Sequence, residues 1–254
     1  MHQEHAVVRS LTSVTSDIKR LTLHAPSICR DAQPGQFLNI RVDANFPLLR
    51  RPFSIFDIDG EDVSIIFNVI GRGTSVLARK EPGDTLDIIG PCGNSFLPFT
   101  EGGYDTSIFV AGGIGVAPFP FFTKRMDQSH RIETFIGARS ASFVISEGMR
   151  NVHIATDDGS VGYHGTVLEE LKDYLAAHDL GTVRMFLCGP SRMMRAVADF
   201  AMEKNIPAYA SIECEMACGI GLCQGCAVES VGGEKKYFLV CTDGTIFDTR
   251  TVKI

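Results

Sequence analysis

Apolar and polar positions alternate in short runs through the first hundred residues. Segments 5–14, 17–24, 36–42, 53–57, 63–69 and 85–89 are rich in Val, Ile, Leu, Phe and Thr and partly alternate, which predicts β-strands. Turn pairs separate them at Pro34-Gly35, Asp59-Gly60 and Pro82-Gly83. A short helix is expected at 75–80. Strands of this length and spacing predict an antiparallel β-barrel. The pattern changes near Glu101-Gly102-Gly103. Beyond it, apolar strands at 107–111, 134–137, 152–156, 183–187 and 208–212 alternate with helical stretches at 117–128, 166–178 and 191–204. Ser191 is the expected N-cap of the last helix. Strand–helix alternation predicts a mostly parallel α/β sheet. The final forty residues form a third piece, with strands at 237–241 and 245–248 around Asp243-Gly244. The expected domains are therefore 1–100, 101–211 and 212–254.

Composition narrows the function. A chain of 254 residues with 44% apolar content buries an ordinary core. A net charge of −6 argues against nucleic-acid binding, which needs a basic face. No run of eighteen apolar residues suggests a membrane span. The eight cysteines are spread along the chain, and no apolar signal segment follows Met1-His2-Gln3-Glu4-His5. Unpaired cysteines in that context predict a reducing, cytoplasmic location.

Four of those cysteines carry the chemistry. Cys218-Gly-Ile-Gly-Leu-Cys223-Gln-Gly-Cys226, followed at a distance by Cys241, is C-x4-C-x2-C plus a fourth Cys. That is the plant-type [2Fe–2S] spacing. Three thiolates must converge from one tight loop, and Gly219, Gly221 and Gly225 let the backbone wrap closely. A structural zinc site or a disulfide framework fits this spacing less well. Cys214, Cys29, Cys92 and Cys188 lie outside the pattern and read as packing residues. A cluster of this type moves one electron at a time.

Phosphate-binding signals lie upstream. Gly112, Gly113, Ile114, Gly115, Val116, Ala117 and Pro118 follow a strand and precede a helix. Glycines there admit a pyrophosphate to the backbone, and a helix N-terminus offers free N–H groups. The turns Thr156-Asp157-Asp158-Gly159-Ser160 and Cys188-Gly189-Pro190 end later strands of the same sheet. Ligands of open parallel sheets bind beyond such strand ends. In the barrel half, Arg51-Pro52-Phe53-Ser54 opens a strand and Gly71-Arg72-Gly73-Thr74 closes another. Arg51 could neutralise phosphate and Phe53 could pack on a flat ring; taken alone, though, these residues read first as a surface arginine and a loop-closing turn. The seven histidines are scattered, and no catalytic acid–base constellation is evident. Hydride transfer between bound cofactors needs none.

Taken together, R-P-x-S, G-x-G-T, G-G-I-G-x-A-P and C-G-P in this order resemble the ferredoxin reductase superfamily. Within it, Glu213-Cys214-Glu215-Met216-Ala217-Cys218 and Cys241-Thr242-Asp243-Gly244-Thr245 resemble the electron-transfer subunit of type B, NAD-dependent dihydroorotate dehydrogenase. The resemblance covers the whole chain. It implies a ferredoxin-reductase-like fold with FAD in the barrel, NAD(H) in the second domain and a [2Fe–2S] cluster at the C-terminus. It also implies an FMN-containing catalytic partner, in a dimer of heterodimers serving pyrimidine biosynthesis. By position, Arg51, Pro52, Phe53 and Ser54 would hold the flavin. Asn68, Val69 and Ile70 would line it through main chain, and Gly73 and Thr74 would meet its pyrophosphate. Gly112 to Pro118 and Cys188 to Pro190 would frame the nicotinamide nucleotide, with NADH expected over NADPH. Two departures are Phe53, where many members carry Tyr, and Cys92 in the Gly90–Asn94 turn. Rival readings are the small subunit of a NAD(P)H–ferredoxin oxidoreductase or sulfide dehydrogenase, and a non-catalytic ferredoxin-like carrier.

Overall fold

The computed structural model describes residues 1–43, 46–233 and 235–254. Its first half contains β1 (His2–Ser13), β2 (Ile18–His24), α1 (Pro26–Asp31), β3 (Phe37–Arg41), β4 (Arg51–Ser54), β5 (Asp57–Asp59), β6 (Asp62–Asn68), α2 (Arg72–Leu77) and β7 (Thr85–Cys92). The strands form one antiparallel sheet, ordered β4-β3-β7-β1-β2-β6-β5. Alternation decides its inner face: Leu21, Leu23, Leu38, Ile40, Val63, Ile65, Leu86 and Ile88 all point into one buried cluster. The sheet curls until Phe53 on β4 meets Phe67 on β6, ring centroids 5.9 Å apart. The predicted strand at 53–57 proves to be two. Ile55 and Phe56 are buried between β4 and β5, and their N–H groups donate to Gln36 and Ser64 carbonyls at 3.0 and 2.8 Å. Helix α1 has no counterpart among the predicted elements, although Pro26 at its first position is a start signal.

The second half carries β8 (Thr106–Gly112), α3 (Phe119–Arg125), β9 (Arg131–Ala138), β10 (Val152–Thr156), β11 (Tyr163–His164), α4 (Val167–Ala177), β12 (Val183–Cys188), α5 (Ser191–Glu203) and β13 (Ala208–Ser211). After the cysteine loop come β14 (Ala227–Glu229), β15 (Tyr237–Leu239) and β16 (Ile246–Asp248). The sheet order is β11-β10-β9-β8-β12-β13-β16. All pairings are parallel except that of β16 with β13. Thus the last strand of the third piece completes the sheet of the second. Thr166 starts α4 through a capping box with Glu169, as Thr-x-x-Glu predicts. Pro190, rather than Ser191, occupies the N-cap of α5. That helix buries Met194, Val197, Ala198 and Ala201, an i, i+3, i+4, i+7 stripe.

The halves share a core. Phe96 from the end of the barrel stacks on Phe122 of α3 at 4.7 Å, and Phe109 of β8 stacks on Phe119 at 5.0 Å. Ile18, Phe56 and Ile66 of the barrel belong to the same buried cluster as Phe186 of β12. This fixes the barrel edge against the ends of the parallel strands, where the site lies. Among the described residues, no helix is long and apolar enough to cross a membrane.

Candidate functional site

A cavity of about 750 Å³ opens between the halves. Asn68, Val69 and Ile70 line it from the end of β6, and Gly112, Gly113, Ile114, Gly115, Gly189 and Pro190 line it from the ends of β8 and β12. Gly137, Ala138, Arg139, Asp157, Gly165 and Thr166 extend it along the sheet. This is the crevice beyond the carboxyl ends of the strands, as the parallel-sheet rule requires. Its size and its glycine-rich lining suit an extended nucleotide.

The glycines there do different jobs. At Gly112, a Cβ would stand 2.6 Å from Pro190 Cδ and 2.7 Å from Met193 Sδ. At Gly115, it would stand 2.6 Å from the Cys188 carbonyl carbon and the Gly189 Cα. These two glycines let the 112–115 and 188–190 turns lock into one another. Gly113 has φ +55°, and a Cβ there would meet nothing within 4 Å, so of the three it alone faces open space. The segment does not pass directly into α3: Gly113–Val116 is a 3-10 turn, and Pro118 caps the helix. Val116 and Ala117 turn into the core rather than the cavity, and Cys188 is fully buried behind it. Burial pushes the Cys188 thiol well above its ordinary range. Glu213, two residues past β13, opens onto the cavity with its side chain exposed there, and partial desolvation by the surrounding walls raises its carboxyl above the usual carboxylate range. Sequence reasoning missed this residue as a site member. Its position just after a sheet strand was the available signal.

The barrel motif forms a second, contiguous surface. Arg51, Pro52, Phe53 and Ser54 constitute β4, half-buried along its length. Arg51 Nη1 donates to the carbonyls of Leu49 and Arg50 at 2.9 and 3.2 Å. Its Nε lies 3.4 Å from where a Cβ of Gly73 would be, so the guanidinium sits beside the start of α2. Thr74 Oγ1 is occupied locally, accepting from the N–H groups of Ile70 and Gly71 at 3.1 and 3.2 Å. Ile70 is 86% exposed at the cavity wall. β4, Gly73 and Thr74 do not border the 750 Å³ cavity itself; β6 joins the two regions, its Phe67 against Phe53 of β4 and its end, Asn68, at the cavity.

The four cysteines come together in the C-terminal piece. Cys226 and Cys241 are buried with sulfurs 3.2 Å apart, whereas Cys223 is exposed. Backbone N–H groups point at the sulfurs: Ile220 and Cys223 donate to Cys218 Sγ at 3.5 and 3.4 Å, Gly225 to Cys223 Sγ at 3.4 Å, and Gly221 to Cys241 Sγ at 3.2 Å. Gly219 and Gly221 take φ +69° and +84°, as the wrapped loop demands; Gln224 at +56°, not Gly225, makes the third such turn. Desolvation opposes the thiolate of Cys218, yet the donors from Cys223 and Ile220 bring its pKa down to about 6. Burial and the adjacent Cys226 sulfur push the Cys241 thiol up to about 12. Cys226 Sγ donates to Cys241 Sγ across that 3.2 Å, and amide donors around sulfur suit an anionic cluster. Among the described residues no three His, Cys, Asp or Glu side chains converge on a single-ion site. A two-iron cluster held by four thiolates asks for a different arrangement, with the ligands divided between two metals. Cys214 borders the group without belonging to the spacing: its Sγ lies 3.9 Å from the Cys226 carbonyl oxygen, and burial, then the Cys226 sulfur, raises its thiol to about 11.

Solved structures share this architecture. The chain superposes on an NADH-dependent reduced ferredoxin-NADP oxidoreductase with TM-score 0.86 at 26% identity, covering 98% of this chain and 89% of that one. A ferredoxin NADP+ reductase from Neisseria gonorrhoeae with bound FAD and NADP aligns at TM-score 0.67 and 15% identity, over 80% of this chain and 92% of that one, which speaks to the fold alone. A ferredoxin-reductase fold carrying a C-terminal cysteine loop defines the class: a nucleotide-linked iron–sulfur flavoprotein reductase. Residues 213–253 match the family of the iron-sulfur cluster binding domain of dihydroorotate dehydrogenase B. Dihydroorotate dehydrogenase B (NAD(+)) electron transfer subunits from Bacillus caldolyticus and Bacillus velezensis are similar to it. The first is 36% identical over 96% of each chain, and the second 32% identical over the whole of each. The chain belongs to this family of electron transfer subunits. Membership favours the dihydroorotate dehydrogenase reading over the ferredoxin-like carrier and over the small subunit of a NAD(P)H–ferredoxin oxidoreductase or sulfide dehydrogenase.

Proposed function

We propose that this chain carries electrons between NAD(H) and the catalytic subunit of a dihydroorotate dehydrogenase. Arg51, Pro52, Phe53, Ser54, Gly73 and Thr74 hold FAD on the barrel, with Asn68 to Ile70 beside it. Gly113 and the neighbouring turns receive NAD(H), and Cys218, Cys223, Cys226 and Cys241 hold the [2Fe–2S] cluster. When bound, FAD takes two electrons as a hydride and releases them singly, matching a one-electron cluster. The protein's part is to orient the nucleotide against the barrel edge and to shield the buried sulfurs from water. The observation that carries the reading is adjacency. The cysteine loop seats on β3 through Asn39, and β3 pairs with β4, which bears the flavin motif. The outer side of the loop, Leu222 to Gly225, is exposed, which suits electron exit to a partner. We further propose units at 1–100, 101–211 and 212–254, and a dimer of heterodimers with an FMN-containing partner.

Purified alone, the chain is expected to reduce artificial acceptors with NADH and to leave dihydroorotate untouched. Adding the catalytic subunit is expected to couple orotate formation to NAD+ reduction. Turnover of dihydroorotate by the isolated chain would overturn the relay, and a mass of one copy of each subunit would overturn the assembly. Stopped-flow flavin reduction is expected to favour NADH over NADPH, since Asp157 and Asp158 follow β10 in the strand-end turn beside Arg139.

A further inference from the structure

Strand β3 sends Leu38 and Ile40 into the barrel core, so Phe37 and Asn39 point the other way. Phe37 joins a buried cluster that includes Cys226, Val240 and Cys241. Asn39, on the same face, is 0% exposed. Its Nδ2 donates to the Cys218 carbonyl at 2.8 Å, joining the barrel to a residue 179 positions later. Among the described residues its Oδ1, buried, has no hydrogen-bond partner. An unpaired buried acceptor costs stability, and an apolar residue of similar shape would avoid that cost. Core packing therefore gives no reason for an amide here.

The loop offers a reason. Gly219 lies on the same side chain: a Cβ there would collide with Asn39 Nδ2 and stand 3.0 Å from its Cγ. Holding the Cys218 carbonyl fixes the Cys218–Gly219 peptide plane, and Gly219 then turns at φ +69°. That turn directs the Ile220 and Cys223 N–H groups at Cys218 Sγ, at 3.5 and 3.4 Å. Hydrogen bonds to cluster sulfurs are among the factors that set the reduction potential, because they favour the more negative, reduced state.

We infer that Asn39 is a positioning residue for electron transfer: from the barrel it clamps the Cys218–Gly219 peptide, aims the loop's N–H groups at Cys218 Sγ, and thereby tunes the cluster's potential. This rests on the cluster reading above. Removing the amide loosens those N–H···S contacts and makes the cluster harder to reduce.

The test uses the full chain with FAD and cluster in place, and redox titration followed by electron paramagnetic resonance of the reduced cluster. Asn39→Leu keeps the branched shape, at a larger volume, and removes the donor; Asn39→Asp puts an acceptor against the Cys218 carbonyl. Both are expected to lower the ratio of reduced to oxidised cluster, at a fixed solution potential, by about two- to tenfold, the scale of one ordinary hydrogen bond. The shape of the resonance is expected to change, while the rate of flavin reduction by NADH is retained. Should Asn39→Leu fold poorly, Asn39→Ala removes the donor without added bulk. A parent protein lacking iron and sulfide would overturn the cluster reading and this inference with it. A parent with its cluster, and variants with unchanged potential and resonance, would overturn the inference alone.

Discussion

Replacing Gly115 by Ala puts a methyl group where the structure has only backbone. Its Cβ would stand 2.6 Å from both the Cys188 carbonyl carbon and the Gly189 Cα. Ordinary carbon–carbon contact is about 3.5–4.0 Å, so the two turns must part by roughly 1 Å. Overpacking of this sort costs about 1–3 kcal/mol, and the upper end applies because the obstacle is main chain. For a domain of this size the midpoint of thermal unfolding is expected to fall by about 6–12 °C, at roughly 2–4 °C per kcal/mol. The control is Gly113→Ala. It meets nothing within 4 Å and carries only the strain of φ +55°, about 1 kcal/mol. Calorimetry of both variants separates crowding from conformational strain, and stopped-flow reduction by NADH reads the site itself. Gly115→Ala is expected to lose stability and nucleotide-dependent reduction together, because its turn frames the cavity. Gly113→Ala is expected to keep most of its stability. Were Gly115→Ala to melt within about 2 °C of the parent, the interlocked-turn account would be wrong.

Three further outcomes are expected. Cys241→Ser should lose iron and inorganic sulfide, whereas Cys214→Ser should keep both, as measured on purified protein; full iron in Cys241→Ser would remove it from the ligand set. Arg51→Ala should emerge with less FAD but an unchanged cluster spectrum, since a charge-assisted phosphate contact would be lost; unaltered flavin affinity would argue against that contact. Asp87 is desolvated, but Gln3 and Arg50 hold its carboxyl below the ordinary aspartate value. A depressed folded-state pKa gives stability above the unfolded value of about 3.9, and that stability is lost as pH falls through the folded pKa. Melting temperature between pH 6 and 3 should therefore fall less steeply in Asp87→Asn, and identical slopes would exclude the pair from acid unfolding.

Local periodicity made most of the fold legible. The helical stretches expected at 166–178 and 191–204 are filled by α4 and α5. The cysteine spacing located the cluster loop because the chemistry leaves few other spacings. What stayed hidden depends on distant contacts. Nothing near Asn39 in sequence reveals that it meets Cys218. Gly112 and Gly115 read as room for phosphate, whereas their neighbours are Pro190, Met193 and Cys188, more than seventy residues away. The division of 53–57 into two strands was hidden similarly, since Ile55 and Phe56 are claimed by Gln36 and Ser64.

The antiparallel pairing of β16 with β13 has a bearing on engineering. Ile246, Phe247 and Asp248 register with Ser211, Ala210 and Tyr209, so the tail shields the open side of the nucleotide sheet. A graft that removes everything after residue 211, to obtain a cluster-free reductase, would leave β13 as a bare edge. Unpaired edges recruit other chains. Such a truncation is expected to aggregate for reasons unrelated to iron. A usable cluster-free module would excise only the cysteine hairpin and rejoin the chain ahead of Thr245, whose Oγ1 donates to the Gly35 carbonyl at 2.8 Å. That cut leaves the protective strand in place and keeps the graft anchored to the barrel.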